Sequence, residues 1–270
     1  MKRSEGRGGR AARSSAARAP AGVARDALEG WLNDYLQPGA IEDYCPNGLQ
    51  VEGSPQIRKL VCGVTASLAF VQAAAQSGAQ AVLVHHGWFW RGEDPCVTGA
   101  RHARLSALMT SGMSLFAFHL PLDVHAEVGN NVALARHLGW PVGEPFGRQG
   151  LIRMTSLPAP SDAAGLGRLL QRRLARKPLL VGALDRPIRR IAWCTGAAHD
   201  FLPQAIEAGA DAFVSGEISE RTTHLAREAG VIYASAGHHA TERYGVQALG
   251  ARVAEQFGIE VVFIDDPNPV

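Results

Sequence analysis

The hydrophobic positions of the chain follow two spacings that alternate from Val23 onward. Apolar residues three or four positions apart, as in VARDALEGWLNDYL, predict amphipathic helices. Short apolar runs, such as KLVCGV and AQAVLVHHG, predict buried strands. Strands that alternate with helices of about ten residues are typical of crossover units, so the pattern predicts largely parallel sheets.

The alternation weakens between residues 141 and 187. There, LIRMTSLPAP predicts an edge strand interrupted by prolines, and AAGLGRLLQRRLARK predicts a basic helix with a solvated face. Earlier in the chain, IEDYCPNGLQVEG is polar and predicts a loop. From residue 189 the strands and helices resume, and the chain closes with the predicted strand IEVVFIDD.

The second series of elements resembles the first. CGVTASLAFVQAAAQSGAQAVLVHHG, from Cys62, can be aligned with CTGAAHDFLPQAIEAGADAFVSGE, from Cys194, with one residue of slip at the Gly-Ala pair. Internal similarity of this kind indicates related units. We therefore expect an α/β protein with two similar α/β lobes, 23–140 and 141–270, whose mostly parallel sheets face each other across a cleft.

Composition agrees with a globular protein. With 270 residues, 46% of them hydrophobic, the chain can bury one sizeable core or two modest ones. No apolar run approaches the roughly 18 residues of a membrane span. No apolar secretory segment follows the basic start. A cytoplasmic location is therefore expected.

The charge is unevenly distributed. Residues 1–22 carry six basic side chains and one acidic one, a net charge of +5, which leaves −3 for the remaining chain. This segment is rich in Gly, Ala, Ser and Arg, so it predicts a disordered basic tail, and it also fits an organelle transit peptide. Because the positive charge is confined to the tail, the sequence argues against a nucleic-acid partner for the body of the protein.

Histidine and carboxylate side chains gather at the ends of predicted strands. Neighbouring residues in mid-strand point to opposite faces. At Gly87, however, we expect the chain to turn with backbone angles that other residues avoid, so that the two histidines just before it can reach one crevice. Open α/β sheets bind ligands at the carboxyl ends of their strands, so we expect the polar strand ends of both halves to converge. The group consists of His85, His86, His119, Asp123, Glu217, His238, His239 and Glu242.

This set of donors predicts a site for divalent metal ions. Imidazole and carboxylate without thiolate suit zinc, iron(II), manganese or cobalt. Even three imidazoles and two carboxylates from this group would exceed the three or so protein ligands of a one-metal catalytic site, so two ions bridged by a carboxylate are expected, with positions left open. Two divalent ions against two carboxylates leave a charge surplus of about +2, which an anionic, phosphorylated small molecule would offset.

The order of motifs resembles one known family. DYCPNGLQVEG, AVLVHHG, HLPLDVHAEVGNN, FVSGEIS, AGHHATERYG and FIDDPNP follow one another as in the Nif-three-like family of dinuclear metal-centre proteins, also called the GTP cyclohydrolase I type 2 family. The resemblance covers roughly residues 23–270. It implies a two-lobed α/β fold without an inserted domain, and assembly into a toroidal homohexamer.

The resemblance also implies the site residues and an activity. The metal ligands would be His85, His86, Asp123, His238 and Glu242, with Glu242 as the bridge. The activity proposed for some relatives is hydrolytic opening of the imidazole ring of GTP with release of formate. For the accompanying proton transfer the sequence favours Glu217 and then His119, although Glu217 could instead orient a ligand histidine and His119 could be a hydrogen-bonded structural residue.

Two functions remain open at this stage. The first is a dinuclear metal-dependent hydrolase that acts on a nucleotide, with GTP as the named candidate. The second is a non-enzymatic metal-binding, metal-delivery or regulatory protein, because the chain has no phosphate-binding loop of the form GxxxxGK[ST] and no recognisable motif for a base or ribose.

Overall fold

A computed structural model describes residues 22–270, so the predicted basic tail lies almost wholly outside the described residues. Within the described part, no helix is both long enough and apolar enough to cross a membrane. The cytoplasmic location stays a prediction.

Strands and helices alternate along the described chain. The strands are β1 (Val23–Ala24), β2 (Gly48–Val51), β3 (Gln56–Ile57), β4 (Lys59–Thr65), β5 (Ala81–His86), β6 (Ser114–Ala117), β7 (Glu144–Phe146), β8 (Ile152–Ser161), β9 (Leu179–Gly182), β10 (Ile188–Trp193), β11 (Ala212–Ser215), β12 (Ile232–Ser235) and β13 (Glu260–Phe263). The α-helices are α1 (Arg25–Leu36), α2 (Leu68–Gln76), α3 (Gly99–Thr110), α4 (Leu120–Val124), α5 (Asn130–Leu138), α6 (Ala163–Leu174), α7 (Leu202–Glu207), α8 (Glu220–Glu228) and α9 (His238–Phe257).

The first sheet has five strands in the order β13-β4-β5-β6-β2. Its first four strands are parallel, and β2 pairs antiparallel with β6. Alternate residues enter different cores, as expected for strands covered on both faces. One core holds Leu60, Leu83 and Phe116, with side chains of α1 and α9. The opposite core holds Val61, Val82 and Leu115, with side chains of α2 and α3.

The second sheet has six strands in the order β7-β8-β10-β11-β12-β9. Strands β10, β11 and β12 are parallel, as β4, β5 and β6 are, so each of the two aligned series builds three neighbouring parallel strands. The other pairings are antiparallel. The expectation of mostly parallel strands therefore fails for this sheet. One physical reason is the short turn 147–151 between β7 and β8, since strands joined by so few residues pair antiparallel.

The last helix and strand connect the two halves of the chain. Residues of α9 enter a core of the first sheet through Leu249 and a core of the second sheet through Ala240. Strand β13 pairs with β4 in the first sheet, although it lies at the end of the chain. The division of the chain into two lobes at residue 141 stays a prediction. If the chain is divided there, α9 and β13 connect the two lobes. The α/β class itself is confirmed.

Candidate metal centre

The two adjacent histidines occupy the last two positions of β5. The buried His85 donates a hydrogen bond from Nδ1 to the carbonyl of Phe118, at 2.9 Å. The Nδ1 atom of His86 lies 3.0 Å from the hydroxyl of Thr65, at the end of β4. The ring centroids of the two histidines are only 4.5 Å apart, so both imidazoles face the same crevice.

Gly87 follows these histidines for a reason other than the expected one. Its backbone does not adopt a positive φ angle. The glycine is required because a Cβ atom at this position would overlap the side-chain oxygen of Gln50 and the Cβ of Ala117. The turn after the two histidines is therefore packed directly against β6 and the segment that includes Gln50.

The first turns of α9 supply a histidine and a carboxylate. The helix begins at His238, so His238 and Glu242 are four positions apart on one helical face. Their Nε2 and Oε2 atoms are 3.0 Å apart. On its other side, Nδ1 of His238 lies 2.6 Å from Oε1 of Glu217. Glu217 thus contacts the ring nitrogen that points away from Glu242, which is the geometry of an orienting carboxylate.

Asp123 comes from the short helix α4, which follows β6. Its Oδ1 accepts hydrogen bonds from Nδ2 of Asn130, at 2.9 Å, and from the hydroxyl of Thr195, at 3.3 Å. The same oxygen lies 3.6 Å from Nε2 of His85. Hydrogen bonds from both halves of the chain therefore orient this buried carboxylate toward His85.

Glu242 joins two groups of donors. Its Oε1 lies 3.5 Å from Nε2 of His85, and its Oε2 lies 3.3 Å from Nε2 of His86. One group consists of His85, Asp123 and Glu242, and the other consists of His86, His238 and Glu242. Within each group, one donor atom per residue lies within 4.8 Å of the others, a spacing that could hold a metal ion.

The buried lone pairs of this cluster need a positively charged partner, either a proton or a metal ion. A backbone carbonyl can only accept, so Nδ1 of His85 carries a proton and the neutral ring presents a lone pair at Nε2. That nitrogen faces two carboxylates, and both it and Oε2 of Glu242 are buried without a hydrogen-bond partner in the described structure. Burial alone would lower the pKa of His85, but Asp123 and Glu242 raise it to about 9. A metal ion would satisfy the same lone pairs without a proton, so the donor set fits one.

His119 lies beside the cluster and is held by residues that the sequence did not single out. Its Nδ1 atom lies 2.9 Å from Oδ1 of Asp43, and its backbone N–H donates to Oδ1 of Asn47 at 2.7 Å. One ring nitrogen of His119 lies within 4.8 Å of ring nitrogens of His85 and His86. Asp43 and Asn47 belong to DYCPNGLQ, a motif used for the family resemblance but given no role.

His239 does not join the cluster, although it was among the eight residues expected to gather. Its Nε2 atom lies 2.8 Å from Oδ1 of Asp265 in the C-terminal segment. The neighbouring Arg243 forms an ion pair with the same carboxylate at 3.3 Å. The helical geometry explains the difference, because residues one position apart on a helix point in different directions.

A cleft of about 220 Å³ opens beside the donor groups. It brings Asp123, His238 and Glu242 together with His119 and the exposed Arg148. Its remaining lining is Glu42, Tyr44, Leu120, Gln149, Leu151, Cys194, Thr195, Ala197, Ala198 and Phe201. A small molecule in this cleft would therefore touch the donors directly.

Comparisons with known proteins agree with this architecture. A protein of Pseudomonas aeruginosa named GTP cyclohydrolase 1 type 2 homolog is 55% identical over 238 residues, which cover 87% of this chain and 94% of the relative. A protein of the same name from Allochromatium vinosum is 49% identical over 240 residues, 88% of this chain and 94% of the relative.

Solved structures show the same fold. The structure described as protein ybgI, of unknown function, has a TM-score of 0.86 and 44% identity, and covers 92% of this chain and 100% of its own. A Thermus thermophilus protein has a TM-score of 0.83 and 35% identity, with the same coverages. The profile of the family DUF34/NIF3 (NGG1p interacting factor 3) matches residues 23–269. The chain belongs to the DUF34/NIF3 family.

Proposed function

We propose that this protein is a hydrolase that holds two divalent metal ions per chain and acts on a nucleotide, with GTP as the first candidate. The observation that carries the proposal is the position of Glu242, whose two oxygens each face a different set of imidazoles. A bridging carboxylate between two sets of donors is the arrangement expected for two ions about 3.5–4 Å apart.

Each ion would have three protein donors. One would be held by His85, Asp123 and Glu242, and the other by His86, His238 and Glu242. Three protein donors leave positions open on zinc, iron(II), manganese or cobalt, as catalytic sites require. When bound, such ions supply Lewis-acid polarisation and lower the pKa of a water molecule.

The chain's own residues would bind the substrate and move protons. The excess positive charge of two ions over the carboxylates favours an anionic substrate, and Arg148 adds a further positive charge at the cleft. His119 lines the same cleft and is the better placed of the two predicted proton-transfer residues. Glu217 contacts Nδ1 of His238, a position from which it would orient that ligand. The name of the close relatives supports GTP as the substrate to test first.

The proposal is tested by incubating metal-loaded protein with GTP and measuring formate. Asp123→Ala removes a carboxylate from one donor group and should abolish formate release. Asp34→Ala, at an exposed position of α1, is the matched control and should release formate as the wild type does. Equal formate from wild type and Asp123→Ala would show that the activity comes from a contaminant and would contradict the proposal.

A second function is favoured by the size of the cleft. Its volume of about 220 Å³ is below the range of about 300–1,000 Å³ that is typical of small-molecule sites. A non-enzymatic protein that binds, delivers or senses metal needs only room for ions. Transfer of metal to an acceptor protein or chelator within seconds, with no turnover of a nucleotide panel, would favour this function over hydrolysis.

We also propose that the chains assemble into a toroidal homohexamer, as the family resemblance implies. Sedimentation equilibrium tests the assembly directly. A mass six times the 28.7 kDa of one chain is expected, and a monomer at micromolar concentration would contradict it.

A further inference from the structure

The segment 43–50, with the sequence DYCPNGLQ, is a loop that leads into β2, and it contacts both strand ends that carry histidines. Gln50 accepts a hydrogen bond from the backbone N–H of Trp88 at 2.7 Å, just after the paired histidines. Asp43 and Asn47 contact the side chain and the backbone of His119, as described above. Hydrogen bonds from this segment therefore connect the end of β5 to the end of β6, and Asp43 is the residue that contacts the imidazole of His119.

The Asp43 carboxylate is oriented on both oxygens. Oδ2 accepts from the backbone N–H of Leu120 and from Nδ2 of Asn47, both at 3.0 Å. Oδ1 accepts from the backbone N–H of Tyr44 at 2.7 Å and faces Nδ1 of His119. Although partial burial would raise its pKa, these hydrogen bonds lower the pKa of Asp43 well below its ordinary value. The group is a carboxylate at neutral pH and can only accept.

We propose that Asp43 is a positioning residue that keeps the proton of the neutral His119 ring on Nδ1, so that Nε2 faces the metal centre as a proton acceptor. The inference rests on the proposed function for its catalytic meaning, and on geometry alone for the tautomer. A carboxylate facing Nδ1 requires a proton there, and the neutral ring then has its lone pair on Nε2. The ring centroid of His119 lies 5.1 Å from that of His85, and one ring nitrogen of His119 lies within 4.8 Å of ring nitrogens of His85 and His86. Because Asp43 occupies Nδ1, the inference assigns Nε2 to the side of the metal centre.

The tautomer determines which proton transfer His119 can perform. When a water molecule adds to C8 of the substrate's imidazole ring, Nε2 takes one proton from that water and the remaining hydroxyl bonds to carbon. The electron pair of the C8=N7 bond moves to N7 as the hydroxyl adds. When the C8–N9 bond then breaks, the hydroxyl becomes the oxygen of a formyl group, its proton passes to N7, and Nε2 returns the first proton to N9. A second water molecule then hydrolyses this formamide and releases formate. From the uptake of the first proton to its return, the His119 ring is a cation, and the Asp43 carboxylate stabilises it. With the proton on Nε2 instead, the neutral ring could not accept the first proton there.

Asp43→Asn should reverse the tautomer. An asparagine side chain has one oxygen and one NH₂ group in place of the two accepting oxygens. In the position of Oδ2 the NH₂ group would meet two fixed donors, the backbone N–H of Leu120 and Nδ2 of Asn47. In the position of Oδ1 it would meet only one fixed donor, the backbone N–H of Tyr44, together with the ring of His119, which can change its tautomer. The NH₂ group should therefore face His119 and donate to Nδ1, which moves the ring proton to Nε2.

Solid-state ¹⁵N NMR of zinc-loaded, ¹⁵N-histidine-labelled full-length protein tests the tautomer without turnover. His119→Gln identifies the His119 signals by difference. We expect protonated Nδ1 in the wild type and in the control Asp34→Asn, and protonated Nε2 in Asp43→Asn. Wild-type protein with its proton on Nε2, or an unchanged tautomer in Asp43→Asn, would overturn the inference.

A kinetic measurement tests the catalytic meaning separately. Asp43→Asn should lower kcat for GTP by about 10–100-fold with little change in KM, as is usual for loss of a residue that orients a functional histidine. Asp43→Glu, which keeps a carboxylate, should retain Nδ1 protonation and recover part of the rate. Equal kcat in wild type and Asp43→Asn, together with a reversed tautomer, would overturn the catalytic role of the tautomer. The spectra do not depend on turnover, so they remain informative whatever substrate the protein uses.

Discussion

At the scale of single residues, the sequence predicted most of the side chains that gather, with His239 as the exception, and it offered Glu217 as an orienting residue, but it did not identify Asp43. His85, His86 and Glu242 stand out because imidazoles and carboxylates at strand ends are conspicuous in an apolar pattern. Asp43 is 76 positions from His119 along the chain and lies in a polar loop, so no periodicity connects them. The role of an orienting hydrogen bond becomes visible only when the fold brings its two partners together.

Glu242→Gln tests the bridging position most directly. The amide keeps the shape of the side chain but loses the charge and one of the two accepting oxygens. Loss of an orienting partner outside the metal's own ligands already costs about 10–100-fold in affinity, so loss of a ligand oxygen should cost at least about 100-fold. Elemental analysis should find about two metal ions per wild-type chain and at most one per variant chain. The exposed Glu228→Gln on α8 should match the wild type, and unchanged metal content in Glu242→Gln would contradict a bridge.

Gly87→Ala and Gly30→Ala should change stability in opposite directions. At Gly87 the added methyl group overlaps Gln50 and Ala117, so we expect a loss of about 1–3 kcal/mol in the free energy of unfolding. At Gly30, in the middle of α1, no atom outside the adjacent residues and the helix's own backbone lies within 4 Å of the added Cβ, so alanine should raise the free energy of unfolding by about 0.5–1 kcal/mol. The midpoints of urea denaturation measure the change in stability of both variants. If Gly87→Ala left the free energy of unfolding unchanged, the turn would have room for a methyl group, and the close packing described here would be contradicted.

At the scale of elements, long periodic segments were predicted and short or polar ones were not. The predicted helices and strands of the two aligned series are present, as is the closing strand β13. Strand β2 was predicted as loop because it contains only four residues of mixed polarity. Helix α5 was not predicted because its first turn buries two polar residues, Asn130 and Asn131, whose amides bind Asp123 and Thr195. Buried polar residues that serve a site conceal the hydrophobic pattern of the element that carries them.

Asp211 connects two neighbouring strands and should make stability depend on pH. It precedes β11, and its Oδ2 accepts the backbone N–H groups of Arg189 and Arg190 in β10, both at 2.9 Å. Partial burial would raise its pKa, but these bonds and the Arg186 guanidinium lower it. Because the folded-state pKa is depressed, this stabilisation is present at neutral pH and is lost as the pH falls below about 4 and through the folded-state pKa.

The corresponding variant is Asp211→Asn, measured on metal-free protein so that ligand protonation does not contribute. We expect the variant to be about 1–2 kcal/mol less stable than the wild type at pH 7. The difference should shrink as the pH falls below about 4, where the wild-type carboxyl also becomes neutral. Asp185→Asn, at an exposed loop position, should differ little from the wild type at either pH. A stability difference for Asp211→Asn that stays constant from pH 7 to pH 3 would contradict the assignment.

At the scale of the whole molecule, the donors come from segments far apart in the chain. His85 and His86 end β5 of the first sheet, and Asp123 follows β6. His238 and Glu242 begin α9, which enters cores of both sheets. A metal ion at this position would link β5 to α9, so its binding should stabilise the fold as a whole.

Metal binding should therefore raise the Tm. At a metal concentration of about 100 times the Kd, binding adds about 2.7 kcal/mol per site. For a chain of this size, each kcal/mol corresponds to roughly 2–4 °C, so filling one site should raise the Tm by about 5–10 °C and filling both by more. Calorimetry at fixed protein concentration, before and after chelation, measures the shift. The exposed His102→Gln should keep it and Glu242→Gln should lose most of it. Equal shifts in these two variants would mean that the metal stabilises the protein elsewhere than at the junction of β5 and α9.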